Sequence, residues 1–195
     1  MPSSNLTYLI VPGLRDHVEA HWQTLLAKEL SNSVTVPPLE QDKLSCKARL
    51  DAIDRALERV DGPVVIVAHS AGCMMVAHWA QRSTRPILGA LLAADVETQM
   101  PVGYPDKDVL ASNGWTPIPR ARLPFPTLLA ASNNDPLCAL ERAQGFASDW
   151  GSTMVELGAQ GHLNPASGHG PWPMAHELLK VLMTKIETSQ TEPAL

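Results

Sequence analysis

The sequence predicts an α/β protein: a three-layer α/β/α sandwich with helices on both faces of a mainly parallel sheet. Two observations predict it. Short apolar runs alternate with amphipathic segments along the whole chain, and the run Val64 to Val67 carries no polar side chain, as a strand buried on both faces requires. With 195 residues, 45% of them hydrophobic and 18% charged, the chain has material for one substantial core and is short for two. One domain over residues 1–188 is expected, followed by a polar tail over 189–195.

The elements follow in order. Leu6 to Val11 is the first strand, broken by Pro12-Gly13. Val18 to Leu30 reads as a helix with Trp22, Leu25, Leu26 and Leu30 on one face, and Val34 to Val36 as a short strand stopped by Pro37-Pro38. Ala48, Ala52, Ile53, Ala56, Leu57 and Val60 recur at helical spacing before Asp61-Gly62. Pro63 to Ala68 is the central strand, and Ala71 to Gln81, apolar nearly all round, is a helix that must itself be buried. Ile87 to Ala93, Thr127 to Ala131 and Met154 to Leu157 are further strands, with Ala139 to Trp150 a helix between the last two. Met174, Leu178, Leu179, Leu182 and Ile186 form the stripe of a closing helix, which is expected to fray after Glu187. The proline-punctuated segment 97–125 has the length of a functional loop or surface excursion.

Composition excludes several classes. A net charge of −5 offers no basic stripe, so neither nucleic acid nor an anionic membrane is an expected partner. No apolar run is long enough to span a bilayer, and the first residues lack the charged start of a leader peptide. Three scattered cysteines, Cys46, Cys73 and Cys138, fit free thiols in the cytoplasm.

The chemistry centres on Ala68-His69-Ser70-Ala71-Gly72, a serine between a buried strand and a buried helix with small residues two places to either side. This is the setting of a nucleophile elbow, where strand and helix backbones come too close for larger neighbours. Ala68 stands where glycine is usual. A serine here also suits a helix N-cap, but capping leaves the small neighbours unexplained.

A hydroxyl needs a base, and the base needs a group to orient it. In this architecture acid and then base follow the nucleophile in loops after later strands. Asp135, in Ser132-Asn133-Asn134-Asp135-Pro136 after the fifth strand, is the expected acid, with Asp95 as competitor. His162, directly after the last strand in Gly158-Ala159-Gln160-Gly161-His162, is the expected base in preference to His169 and His176. The backbone N–H groups of Ala71 and Leu14 are the expected oxyanion donors, Pro12 having none to offer.

No cofactor is expected, since there is no glycine-rich phosphate cradle. His17-x-Glu19-x-His21 lacks the order of a zinc peptidase motif and a third ligand, so no metal is expected and both histidines read as solvent-facing loop residues. Cys73 reads as a small core residue, and Trp115 and Trp172 as core or pocket packing.

With Pro12-Gly13, His69-Ser70-Ala71-Gly72, Asn134-Asp135-Pro136 and Gly161-His162-Leu163-Asn164 in this order, the chain resembles the compact serine hydrolase family that includes retinoblastoma-binding protein nine and its bacterial relatives. The similarity covers nearly the whole chain. Arg122 to Pro126, Trp150-Gly151-Ser152 and Ser167 to Trp172 look like the bacterial branch in particular. The resemblance implies a reduced α/β-hydrolase without the first antiparallel strands or a large lid domain. It also implies Ser70, Asp135 and His162 in the triad positions and hydrolysis of carboxyl esters; the short chain and its single excursion around Tyr104 to Phe125 suggest a small acyl group in a small-molecule substrate, and amide, thioester and lactone hydrolysis would use the same site. A different class of reading is a protein-binding scaffold with an idle triad, although nothing in the sequence supports a particular protein partner.

Overall fold

The computed structural model describes residues 5–93 and 104–191. Its strands β1 (Thr7–Val11), β2 (Ser33–Thr35), β3 (Val64–His69), β4 (Gly89–Ala93), β5 (Thr127–Ala131) and β6 (Thr153–Glu156) form one sheet in the order β2-β1-β3-β4-β5-β6. Every pairing is parallel, from Tyr8 beside Ser33 at one edge to Ala131 beside Glu156 at the other. The helices are α1 (Trp22–Glu29), α2 (Cys46–Leu57), α3 (Ala71–Ala80), α4 (Lys107–Ser112), α5 (Leu140–Trp150) and α6 (Met174–Thr191).

Alternation along each central strand sorts the helices into layers. Leu9, Ile66, Ala68, Leu92 and Leu129 face one way, into a core shared with α2, α3 and α5. Ile10, Val65, Val67, Leu91 and Leu128 face the other, onto Trp22 and Leu26 of α1 and the Leu178, Leu179, Leu182 and Ile186 stripe of α6. Residues in β3, β4 and β5 are buried throughout, which is why these runs carry no outward polar side chains. The fold is therefore an α/β sandwich of three layers, with no large lid among the described residues. Trp115 is fully buried in the first core and its Nε1–H donates to the Leu44 carbonyl at 2.6 Å.

The helix α1 starts at Trp22 rather than Val18, because His21 caps it: the His21 backbone is extended and its Nδ1 accepts the Gln23 N–H at 3.2 Å. Residues 12–21 are thereby left as a loop over the sheet's carboxyl end. α2 starts earlier than its apolar stripe, at the cap Ser45, and stops at Leu57. The proline-rich segment holds the short α4, capped by Asp106, whose carboxylate accepts the Asp108 and Val109 N–H groups; residues 97–103 of that segment lie outside the described residues. α6 continues past Glu187 to Thr191, its hydroxyl side chains bonding back to carbonyls one turn earlier. No helix among the described residues is long and apolar enough to cross a membrane.

Candidate active site

Ser70 joins β3 to α3 with φ 58° and ψ −131°, a strained backbone for a residue with a side chain. It makes no side-chain cap for α3, so capping does not account for it. Two bonds hold the turn: the Ser70 N–H donates to Ala93 at 3.0 Å, and the Ser70 carbonyl accepts the Cys73 N–H at 2.9 Å. Gly72 is required by close approach, since a Cβ there would stand 3.0 Å from the Pro12 carbonyl oxygen and nearer still to that of Val11. Gly13 faces the serine from β1's loop, where a Cβ would come within 3.1 Å of Ser70 Cβ.

The structure brings Ser70, His162 and Asp135 together across 92 residues of sequence. His162 Nε2 is 2.9 Å from Ser70 Oγ, and His162 Nδ1 is 2.8 and 3.1 Å from the Asp135 oxygens. The carboxylate accepts the Nδ1–H, which leaves Nε2 bare to accept the serine hydroxyl. Asp135 also accepts the Leu137 N–H at 2.8 Å, and both His162 and Asp135 are buried. Asp95, the competing acid, lies outside the described residues. His169 is half-buried, edge-on to Trp172, and His176 meets Glu29 at 2.6 Å; neither reaches Ser70.

Asp135 and His162 are set by a clamp between the loops after β5 and β6. The Ser132 hydroxyl lies 2.8 Å from Asn134 Oδ1 and 3.1 Å from the Gly158 carbonyl, and accepts the Gln160 N–H at 2.9 Å. Asn134 Oδ1 accepts the Gly161 N–H at 2.7 Å. Gly161 (φ 59°) and Leu163 (φ 49°) then turn the chain so that the imidazole points back to the serine.

His69 is a neighbour of this cluster that the elbow pattern does not reveal. Fully buried, it donates its Nε2–H to the His162 carbonyl at 2.8 Å, and its ring lies 5.0 Å from that of His162. Burial, and then the nearby His162 and His21, hold its pKa well below the ordinary histidine value, so it stays neutral. His21 packs on it at 4.6 Å. The expectation that His21 faces solvent is corrected: it is buried, caps α1 and lines the site, and burial, with His162 and His169, lowers its pKa to about 4. Sequence alone offers only its place beside Trp22 at the start of an apolar helical stripe as a signal for it. Gln23, also buried, ties β1 to β3 by donating to the Val11 and Val67 carbonyls at 3.2 and 3.1 Å.

Ser70 opens onto a cleft of about 160 Å³. Leu14, Val18, Tyr104, Pro165 and Ala166 give it apolar walls, and Arg15 and His21 give it polar ones. The N–H groups of Ala71 and Leu14 both belong to residues lining this cleft, and neither donates a hydrogen bond among the described residues. Cys73 is fully buried with its thiol toward the Ala93 carbonyl, away from any substrate space. Among the described residues no group of three or more His, Cys, Asp or Glu is arranged to hold a metal ion.

The family model described as Serine hydrolase matches residues 8–181. No curated protein matches the sequence. Among solved structures, a protein described as a YdeN-like hydrolase from Pectobacterium atrosepticum is 28% identical, with a TM-score of 0.77 over 94% of each chain. The ydeN gene product of B. subtilis is 16% identical, with a TM-score of 0.71 over 93% of this chain and 100% of its own. A thermophilic esterase from Thermogutta terrifontis is 13% identical, with a TM-score of 0.65 over 93% and 90%. These similarities agree with an α/β-hydrolase fold.

Proposed function

The chain belongs to the serine hydrolase family, and from that premise we propose that it hydrolyses carboxyl esters of small acyl groups through an acyl-enzyme on Ser70. The observation that carries the proposal is the unbroken line from Ser70 Oγ to His162 Nε2 and from His162 Nδ1 to Asp135. In the scheme, Ser70 Oγ attacks the ester carbonyl carbon while His162 Nε2 takes the hydroxyl proton. Asp135 keeps the imidazole in the required tautomer and stabilises the imidazolium. The oxyanion of the tetrahedral intermediate is met by the N–H groups of Ala71 and Leu14, and Ala71 adds the positive end of α3. His162 returns its proton to the alcohol as the C–O bond breaks. Water then repeats the cycle on the acyl-enzyme, releasing the acid and restoring Ser70.

The cleft's modest volume and apolar walls favour a small acyl group, and the family resemblance favours esters over amides and thioesters. No metal or other cofactor enters the scheme. Three cysteines scattered through the sequence suit thiols in a reducing compartment, and on that composition the proposed location is the cytoplasm. The net charge of −5 argues against nucleic acid or an anionic membrane as partner.

A fluorophosphonate probe tests the proposal. The wild-type protein should gain one phosphonyl group, mapped by mass spectrometry to Ser70, and should turn over short-chain esters faster than the matching amides and thioesters. A folded protein that stays unlabelled would instead support a binding role with an idle site.

A further inference from the structure

We propose that Arg49 and Asp16 are positioning residues for the oxyanion hole, holding the Leu14 N–H toward Ser70 through the loop after β1, Arg49 from behind that loop and Asp16 from the edge of the cleft. The inference rests on the hydrolase reading and goes beyond it by assigning a role to a buried ion pair that the acid, base and nucleophile do not use.

Arg49 sits on α2 with a side chain only 5% exposed. Its guanidinium is spent on the loop after β1 and on the segment leading into α2: Nη1 donates to Asp16 Oδ1 at 2.6 Å, Nη2 to the Leu14 carbonyl at 3.3 Å, and Nε to the Lys43 carbonyl at 2.8 Å. Asp16 holds a left-handed backbone with φ 55°, unfavourable for a residue with a Cβ. Its own N–H donates to the Gly13 carbonyl at 3.0 Å, closing a tight turn over residues 13–16.

That bond sets the oxyanion donor. The Gly13 carbonyl and the Leu14 N–H belong to one planar peptide unit and point in opposite directions. Fixing the carbonyl toward Asp16 therefore fixes the Leu14 N–H on the other side of the plane, while Gly13 lies against Ser70. Arg49 fixes the next plane as well, by taking the Leu14 carbonyl. Both peptide units flanking Leu14 are thus held, one through Asp16 and one directly.

Stability is a poor explanation for the pair. An ion pair whose arginine is buried and whose aspartate is 20% exposed recovers little beyond its own desolvation cost, and Asp16 adds backbone strain. An arginine suits the task because its planar fork reaches a carboxylate and a carbonyl at once, which lysine's single ammonium does with less direction.

The test compares Arg49→Met, Arg49→Lys and Asp16→Asn with wild type, using a short-chain ester and an alkyl trifluoromethyl ketone whose Ser70 hemiketal mimics the oxyanion. Mislaying one oxyanion donor costs about 10²-fold in kcat. Arg49→Met should lose about that much with KM nearly unchanged, and Asp16→Asn and Arg49→Lys about 10-fold. Affinity for the ketone should fall in step with kcat/KM across the series. The Arg49→Met/Asp16→Asn double variant should be no worse than Arg49→Met alone, because both act through one turn. Should Arg49→Met fail to fold, Asp16→Asn, which keeps the side chain's shape, decides by the same readouts. Folded variants with wild-type kcat, or losses confined to KM with ketone affinity unchanged, would overturn the proposal while leaving the hydrolase reading intact. A wild-type protein that neither binds the ketone nor cleaves the ester would remove the reading and this inference together.

Discussion

Gly72→Ala puts the packing at the serine turn to a direct test. Gly72 is the second residue of α3, and by helix propensity alone alanine would gain up to about 1 kcal/mol there. The structure reverses the sign. The added Cβ would lie 3.0 Å from the Pro12 carbonyl oxygen and closer still to that of Val11. Both obstacles are backbone, so no rotamer change relieves them. Val11 is paired with Ala68 in the sheet, so the strain passes into the loop carrying Gly13 and Leu14 or displaces α3 from β1. Overpacking of this kind costs about 1–3 kcal/mol, more than the propensity gain at most of that range. For a chain of this size 1 kcal/mol moves the melting temperature by about 2–4 °C, so the net loss should read as a drop of a few degrees. Activity should suffer more, because a shift on the order of 1 Å at the oxyanion loop costs about 10²-fold. Calorimetry and steady-state ester kinetics on the same preparation measure both. A Gly72→Ala protein that melts higher than wild type with unchanged kcat would refute the close-approach argument.

Three other outcomes follow from the same contacts. His69→Phe leaves the buried His162 carbonyl without its donor and should cost about 1–3 kcal/mol, with kcat falling more than KM rises; equal stability and kcat would show that His69 does not hold the base. His21, His69 and His78 all have pKa values below the unfolded histidine value. As pH falls below about 6.5 the unfolded chain therefore takes up protons that the folded one refuses. Stability should fall from pH 7 to 5, seen as a lower urea midpoint, and His21→Asn should flatten that slope; a midpoint that rises on acidification contradicts the assignment. Trp115→Phe removes the bond to the Leu44 carbonyl and should cost about 1–2 kcal/mol in urea unfolding, while ester kcat/KM stays near wild type because Trp115 is buried outside the cleft.

The sheet was the most legible part of the sequence, because β3, β4 and β5 are buried on both faces and so read as unbroken apolar runs. The serine turn was legible for the same reason: Ala68 and Gly72 are small where backbones meet. Asp135 and His162 could be picked by their place after β5 and β6. The clamp that sets them could not, since Ser132 and Asn134 act through bonds to a loop 26 or more residues away. Val18 to Ala20 carry helical spacing, yet His21 captures the Gln23 N–H and starts the helix later, a local competition that periodicity does not register. His21 and Arg49 are the instructive cases. Burial of a polar side chain depends on partners distant in sequence: His21 reads as a solvent-facing loop histidine until the fold brings His69 against it, and nothing local marks Arg49 as buried until Asp16 and Leu14 reach it.

Turnover of a short-chain p-nitrophenyl ester by wild-type and Ser70→Ala proteins of matched melting temperature tests the nucleophilic role of Ser70 most directly. Loss of the nucleophile should lower kcat by about 10⁴-fold or more, with KM little changed. Ester turnover by the folded Ser70→Ala protein at the wild-type rate would contradict it.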